Sequence, residues 1–177
     1  MAPYAIAHLK IGLKLFETGY RFGSDERARI YLTNALESAH DFSGRFEFAI
    51  PALAHEAHAV NEIKQKQRFT VVIGNPPYKE KAKGRGGWIE GRQDLEALRA
   101  RRSGAASPAP MDLWSPPVGW GVGAHSKHLK NLYVYFWRWA TLKVFGSGHR
   151  EAVGGNKDGS GIICFITVAG FLNGPGF

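Results

Sequence analysis

Apolar residues recur at helical spacing from the first turn of the chain. Ile6, Leu9, Leu13 and Phe16 fall on one face of a helix expected over Ala2 to Phe16, and Gly19 follows as a stop. No capping residue leads into this helix, so Met1 is expected to be an internal methionine taken as a start. Arg29 to Thr33 reads as a short strand, and Asn34 to Pro51 as polar and irregular. A second helix is expected over Leu53 to Gln67. It feeds into Phe69-Thr70-Val71-Val72-Ile73, a β-branched run halted by Gly74 and two prolines, which reads as a buried strand of a parallel sheet.

Farther along, a helix from Lys127 to Phe145 sets Leu132, Phe136, Ala140 and Val144 on one stripe, with Tyr133, Trp137 and Trp139 adding bulk suited to covering a sheet. Gly146 to Gly161 reads as a glycine-rich turn region, and Ile162 to Val168 as an apolar strand. Residues 79–127 hold the Lys-rich stretch Lys79 to Arg92, a short helix from Gln93 to Arg102 and a Ser/Pro/Gly run, together a long mobile excursion. Helices alternating with apolar strands predict an α/β fold with no repeat.

The chain has 177 residues, enough for one domain of ordinary size, and its 44% apolar content argues against generic disorder. Its 22 glycines and 9 prolines point to long irregular connections. A formal charge of +8 favours a polyanionic partner, nucleic acid first, because each Lys or Arg set on a phosphate releases condensed counterions. The competing reading is a surface kept soluble by surplus lysine. The single cysteine, Cys164, excludes an intrachain disulfide and reads as a buried small hydrophobe, which fits a cytoplasmic location. No apolar run is long enough to cross a membrane, and no signal-peptide pattern opens the chain.

The chemistry-bearing motif is Asn75-Pro76-Pro77-Tyr78, at the C-terminal end of the expected strand, where open α/β sheets present ligand-binding groups. An exocyclic amine conjugated into a ring is a weak nucleophile until its lone pair is localised. The Asn75 side-chain oxygen and the Pro76 carbonyl can each accept one N–H of such an amine, drawing the nitrogen toward tetrahedral geometry. Pro76 and Pro77 fix their own φ and restrict the residue before them, so both acceptors are held in advance. Tyr78 offers a face on which an extruded base stacks, worth about 1–3 kcal/mol against a few kcal/mol of unstacking. The plainer alternative is a Pro-Pro turn beside a half-buried tyrosine. At average residue usage the tetrapeptide arises by accident on the order of once in a thousand chains of this length.

The run Val71-Val72-Ile73-Gly74-Asn75-Pro76-Pro77-Tyr78 resembles the catalytic motif of adenine-specific amino-methyltransferases. Four further segments, Met1 to Lys10, Tyr31 to Glu37, Asn131 to Trp139 and Ala169 to Pro175, are similar in colinear order to the methyltransferase part of single-chain type ISP restriction–modification enzymes. The resemblance implies that residues 1–177 are a partial methyltransferase catalytic domain with a loop insertion at about 79–127. It implies a Rossmann-like S-adenosylmethionine-dependent fold that lacks its first two strands and its last strands. The methyl donor would be S-adenosylmethionine, the acceptor DNA, and the setting a larger restriction–modification polypeptide; this piece alone is expected to be inactive and without sequence specificity.

On the same resemblance Arg29 to Thr33 would be the third strand of the parent sheet, Phe69 to Ile73 the fourth and Ile162 to Val168 the fifth. The strands between the third and the fourth are missing, so the isolated chain is expected to leave sheet edges unpaired and to fold poorly. The family's glycine-rich cofactor turn is expected upstream of Met1. The clusters Gly84-Arg85-Gly86-Gly87 and Gly154-Gly155 follow no expected strand and read as loops. Asn34 is a candidate for the cofactor's adenine, with a plain turn residue as the competing reading.

Lys79, Lys81, Lys83 and Arg85 are candidate contacts to phosphates flanking the extruded base; a solvated loop is the alternative. The histidines lack acids at metal-ligand spacing, so no metal is assigned. Two other functions share the data: transfer to a glutamine side-chain amide of a protein, which also offers two N–H donors, and a non-catalytic basic remnant that binds nucleic acid.

Overall fold

The structure is a computed structural model that describes residues 2–24, 26–37, 51–67, 69–91, 109–114, 118–120, 127–146 and 160–169. The expected helix at Gln93 to Arg102 and the second glycine cluster, Gly154-Gly155, lie outside them. The helical spacings are realised as α1 (Ala2–Glu17), α2 (Pro51–Lys66) and α3 (Leu132–Phe145). Among the described residues two strands form, β1 (Val71–Gly74) and β2 (Ile162–Phe165). They pair in parallel, Val71 opposite Ile162 and Gly74 opposite Phe165. Single rungs extend the ladder at both ends, Ile162 N–H to the Thr70 carbonyl (2.8 Å) and Ile166 N–H to the Gly74 carbonyl (3.0 Å). The result is a mixed α/β chain with a small parallel sheet, as the alternation of elements predicts.

The chain divides into two compact units, one of 1–34 with 42–60, the other of 35–41 with 61–177. In the second unit α3 covers one face of the sheet. Val72, Ala140 and Val144 form a buried cluster against which Phe69, Trp139, Ile163 and Phe165 pack. Trp137 meets Phe165 edge to face at 4.9 Å, so the aromatic weight of the helix does cover the strands.

On the opposite face the described side chains are exposed. Val71, Ile73, Ile162 and Ile166 are exposed, Ile73 at 77%, and Cys164 is exposed with them. This corrects the expectation of a fully buried strand and of a buried cysteine. Side chains alternate across a strand, so a helix on one side buries only every second residue. A parallel sheet ordinarily needs cover on both faces.

Residues 79–91, the start of the segment read as a mobile excursion, are fastened to the beginning of α3. Ala82 N–H donates to the Lys130 carbonyl (2.7 Å), Leu132 N–H to the Lys79 carbonyl (2.9 Å), and Lys81 N–H to Asn131 Oδ1 (3.2 Å). Ala82 and Ile89 are fully buried with Leu36, Tyr135 and Leu142. The organising group is the Glu90 carboxylate. It accepts the N–H groups of Gly84 (2.7 Å) and Gly86 (2.8 Å) and the Tyr135 hydroxyl (2.6 Å). One acid thus satisfies three donors that an irregular loop would otherwise leave to water.

In the first unit, α1 ends at Gly19, whose φ of 88° a residue with a side chain rarely adopts. None of its residues is buried: Ile6, Leu9, Leu13 and Phe16, the stripe read from the sequence, are all exposed. Tyr4 hydroxyl (3.1 Å) and Arg27 (2.8 Å) both reach the Glu56 carboxylate. Arg29 to Thr33 forms no strand, a second correction. Ile30 N–H turns back to the Ala28 carbonyl (2.9 Å), and with no neighbouring strand among the described residues an extended segment gains no ladder bonds.

Candidate functional site

β1 delivers the Asn75-Pro76-Pro77-Tyr78 loop at its C-terminal end. The last rung of the ladder, Ile166 N–H to the Gly74 carbonyl, lies immediately before Asn75. Pro76 is buried, whereas Asn75, Pro77 and Tyr78 are exposed, Tyr78 at 41%. The tetrapeptide is therefore at the surface, with one proline ring as its anchor. No described residue donates a hydrogen bond to the Pro76 carbonyl.

The Tyr78 hydroxyl lies 2.7 Å from Asn75 Oδ1 and 2.9 Å from the Ile166 carbonyl oxygen. A phenol has one proton and the Ile166 oxygen can only accept, so Tyr78 cannot donate to both. Half a turn of the Asn75 amide satisfies all three groups: Tyr78 donates to Ile166 and accepts from Asn75 Nδ2. In that arrangement Asn75 Oδ1 is turned away from the phenol and is free to accept another donor. The phenol ring is pinned at its oxygen by the sheet, while two rigid prolines set the path between it and Asn75.

The four cations following the motif, Lys79, Lys81, Lys83 and Arg85, are all exposed. Their backbone is held by the Asn131, Lys130 and Glu90 contacts. At Lys81 the backbone takes a positive φ of 51°, a conformation rare for a residue with a side chain and stabilised here by the Asn131 contact. The side chains thus sit on an ordered ridge rather than on a free loop.

Two glycines of the Gly84–Gly87 cluster, Gly86 and Gly87, serve packing. A Cβ on Gly86 would lie 2.6 Å from Glu90 Cγ and 2.9 Å from the Tyr135 ring, and one on Gly87 would lie 1.9 Å from the Leu36 carbonyl oxygen. That space is filled by protein and leaves no cradle for a cofactor. Asn34, the cofactor candidate, is exposed and belongs to the first unit. Among the described residues no three His, Cys, Asp or Glu side chains cluster as metal ligands would, and no helix is long and apolar enough to cross a membrane.

Three residues that matter to this site were not singled out by sequence. Ile166 contributes only its backbone oxygen, which leaves no trace in residue type. Asn131 was read as part of a helix and instead holds the Lys81 backbone. Glu90 had a visible signal, a lone acid in the Gly-rich part of a basic stretch. Comparisons with protein-family models, with curated proteins and with solved structures find no match to this chain.

Proposed function

We propose that the Asn75–Tyr78 loop is the amine-clasping element of an adenine-specific DNA methyltransferase, working within a larger restriction–modification polypeptide of the type ISP kind. The observation that supports it most is the presentation of the loop. It leaves the C-terminal end of a parallel strand with Asn75 at the surface and with no described donor on the Pro76 carbonyl, while a half-turn of the Asn75 amide beside the Tyr78 hydroxyl frees its Oδ1 as the second acceptor.

In this reading the two acceptors take the two N–H groups of an extruded adenine. Because both are fixed before the base arrives, orientation of the amine costs little at the moment of reaction. The exposed ring of Tyr78 supplies the stacking surface that offsets part of the unstacking cost. Lys79, Lys81, Lys83 and Arg85 contact phosphates beside the extruded nucleotide and position the strand without reading its sequence.

S-adenosylmethionine is the methyl donor that accompanies this reading. Gly86 and Gly87 are packed against protein and offer it no cradle. The residues of this chain then act on the acceptor side of the reaction.

The test is transfer of a tritiated methyl group to adenine in duplex DNA by the polypeptide containing this chain. Asn75→Ala is expected to lower the rate by about 10²- to 10³-fold, the scale for removing one preorganised hydrogen-bonding group. Wild-type rates in that variant would remove Asn75 from the mechanism. Label recovered in protein glutamine rather than in DNA would replace the acceptor.

A further inference from the structure

The first unit holds a hollow of about 580 Å³ whose lining includes Leu15, Tyr20, Phe22, Glu26, Arg29 and Tyr31, with Arg27 among them. No residue of the Asn75–Tyr78 loop contributes to it. Its volume falls within the range of roughly 300–1,000 Å³ usual for small-molecule sites. Three aromatic rings supply flat apolar surface. Tyr20 and Phe22 stand edge to face, 5.2 Å apart at 83°, and the Arg27 guanidinium lies 5.5 Å from the centre of the Tyr31 ring.

The charged groups divide into engaged and open. Glu26 accepts the Tyr20 hydroxyl and the Gly23 N–H (3.3 Å), contacts that hold its carboxyl below the usual carboxylate range. Arg27 is paired with Glu56 at 2.8 Å. Arg29 is exposed and lies within the field of the Glu26 carboxylate, whose pKa its charge helps to lower, but it makes no ion pair among the described residues. The acid in the hollow thus takes its hydrogen bonds from Tyr20 and Gly23, and the Arg29 guanidinium keeps its N–H donors for a ligand.

Flat rings beside an open guanidinium suit a ligand that is conjugated at one end and anionic at the other. Guanidinium matches phosphate oxygens bidentately, and bases stack on aromatic side chains whatever their identity. The +8 charge of the chain already favours a phosphate-bearing partner. We propose that this hollow binds one nucleotide unit, its base against the Tyr and Phe rings and its phosphate on Arg29. The proposal stands apart from methyl transfer and does not need the Asn75 loop.

The same ligand chemistry is offered by a free nucleotide and by one residue of a single strand. The full chain is titrated calorimetrically with 5′-AMP, with a short oligodeoxyadenylate and with inorganic tripolyphosphate. Binding of AMP without the strand assigns a free nucleotide, and binding of the strand without AMP assigns single-stranded DNA. In either case Arg29→Ala weakens binding by roughly tenfold or more, the scale of one charge-assisted hydrogen bond, and Arg29→Lys recovers part of the loss. For the strand, the slope of log K against log salt becomes shallower by about 0.7. Tyr31→Leu weakens the base-bearing ligands and leaves tripolyphosphate unchanged.

Absence of binding by both base-bearing ligands overturns the proposal. So does tripolyphosphate binding as tightly as they do with the same dependence on Arg29, or an Arg29→Ala variant indistinguishable from wild type. Arg29 is exposed, so its substitution tests the site even where Tyr31→Leu disturbs the fold.

Discussion

The Tyr78 hydroxyl sits 2.9 Å from the carbonyl oxygen of Ile166, a residue 88 positions later in the chain. That contact ties the motif loop to the segment following the second strand and fixes where the Tyr78 ring stands. Two variants separate the ring from its hydroxyl. Tyr78→Phe keeps the ring and is expected to cost about 1 kcal/mol of stability, with DNA affinity unchanged. Tyr78→Ala also removes the stacking surface and is expected to weaken binding to DNA with an extruded adenine by roughly 5- to 150-fold. Equal affinities of the two variants for that DNA would sink the stacking role.

Gly87 has a φ of 55° and approaches the Leu36 carbonyl so closely that a Cβ would lie 1.9 Å from the oxygen. Gly87→Ala is expected to lower unfolding free energy in urea by about 2 kcal/mol or more, combining the left-handed backbone penalty with displacement of the Leu36 segment. Gly12 provides a control of opposite sign. It lies within α1, and a methyl group there meets nothing within 4 Å, so Gly12→Ala should stabilise by roughly 0.5–1 kcal/mol.

Lys143 donates from Nζ to the Lys64 carbonyl at 2.5 Å, near the end of α2. Burial, and after it the charge of Lys64, push the Lys143 pKa below the ordinary lysine value of 10.5. Burial also lowers Lys64, which Glu37 partly restores. The folded chain therefore binds fewer protons than the unfolded chain between the lowered pKa and 10.5, and stability should rise with pH through that window. Below it the cost of the buried charge is fully present. Lys143→Met removes the titration, so the gain of stability with rising pH should be smaller in the variant. Parallel pH profiles for the two proteins would contradict the assignment.

On the exposed side of the sheet, Ile73→Thr keeps a β-branched residue while making the surface more polar. It is expected to change unfolding free energy by no more than about 0.5 kcal/mol, since the side chain is 77% exposed. Fluorescence of the dye ANS, which reports exposed apolar surface, should fall. A large loss of stability would mean that Ile73 is covered in solution.

The helices and the two strands were legible because each carries a strong period, as in the stripe ending at Val144 or the run Val71-Val72-Ile73. The motif's place at a strand end followed from Gly74 and the prolines. The short strand at Arg29 to Thr33 failed because β propensity has no effect without a partner to pair with. Cys164 and Ile73 failed for a related reason: an apolar run says that a strand has two faces to bury and says nothing of whether a second layer is present. The order of residues 79–91 was hidden because it depends on backbone groups meeting Asn131, the Lys130 and Leu132 backbone and the Glu90 carboxylate, contacts that composition does not reveal.

The Tyr78–Ile166 contact also sets a clock on biosynthesis. Parallel strands need a long crossover rather than a tight turn, so the motif is made well before the carbonyl that anchors its tyrosine. At ordinary translation rates of about 5–20 residues per second, the 88 additions from Tyr78 to Ile166 correspond to roughly 4–18 s. Throughout that interval the nascent chain carries the tetrapeptide without its latch, and any nascent chain released before Ile166 never acquires it.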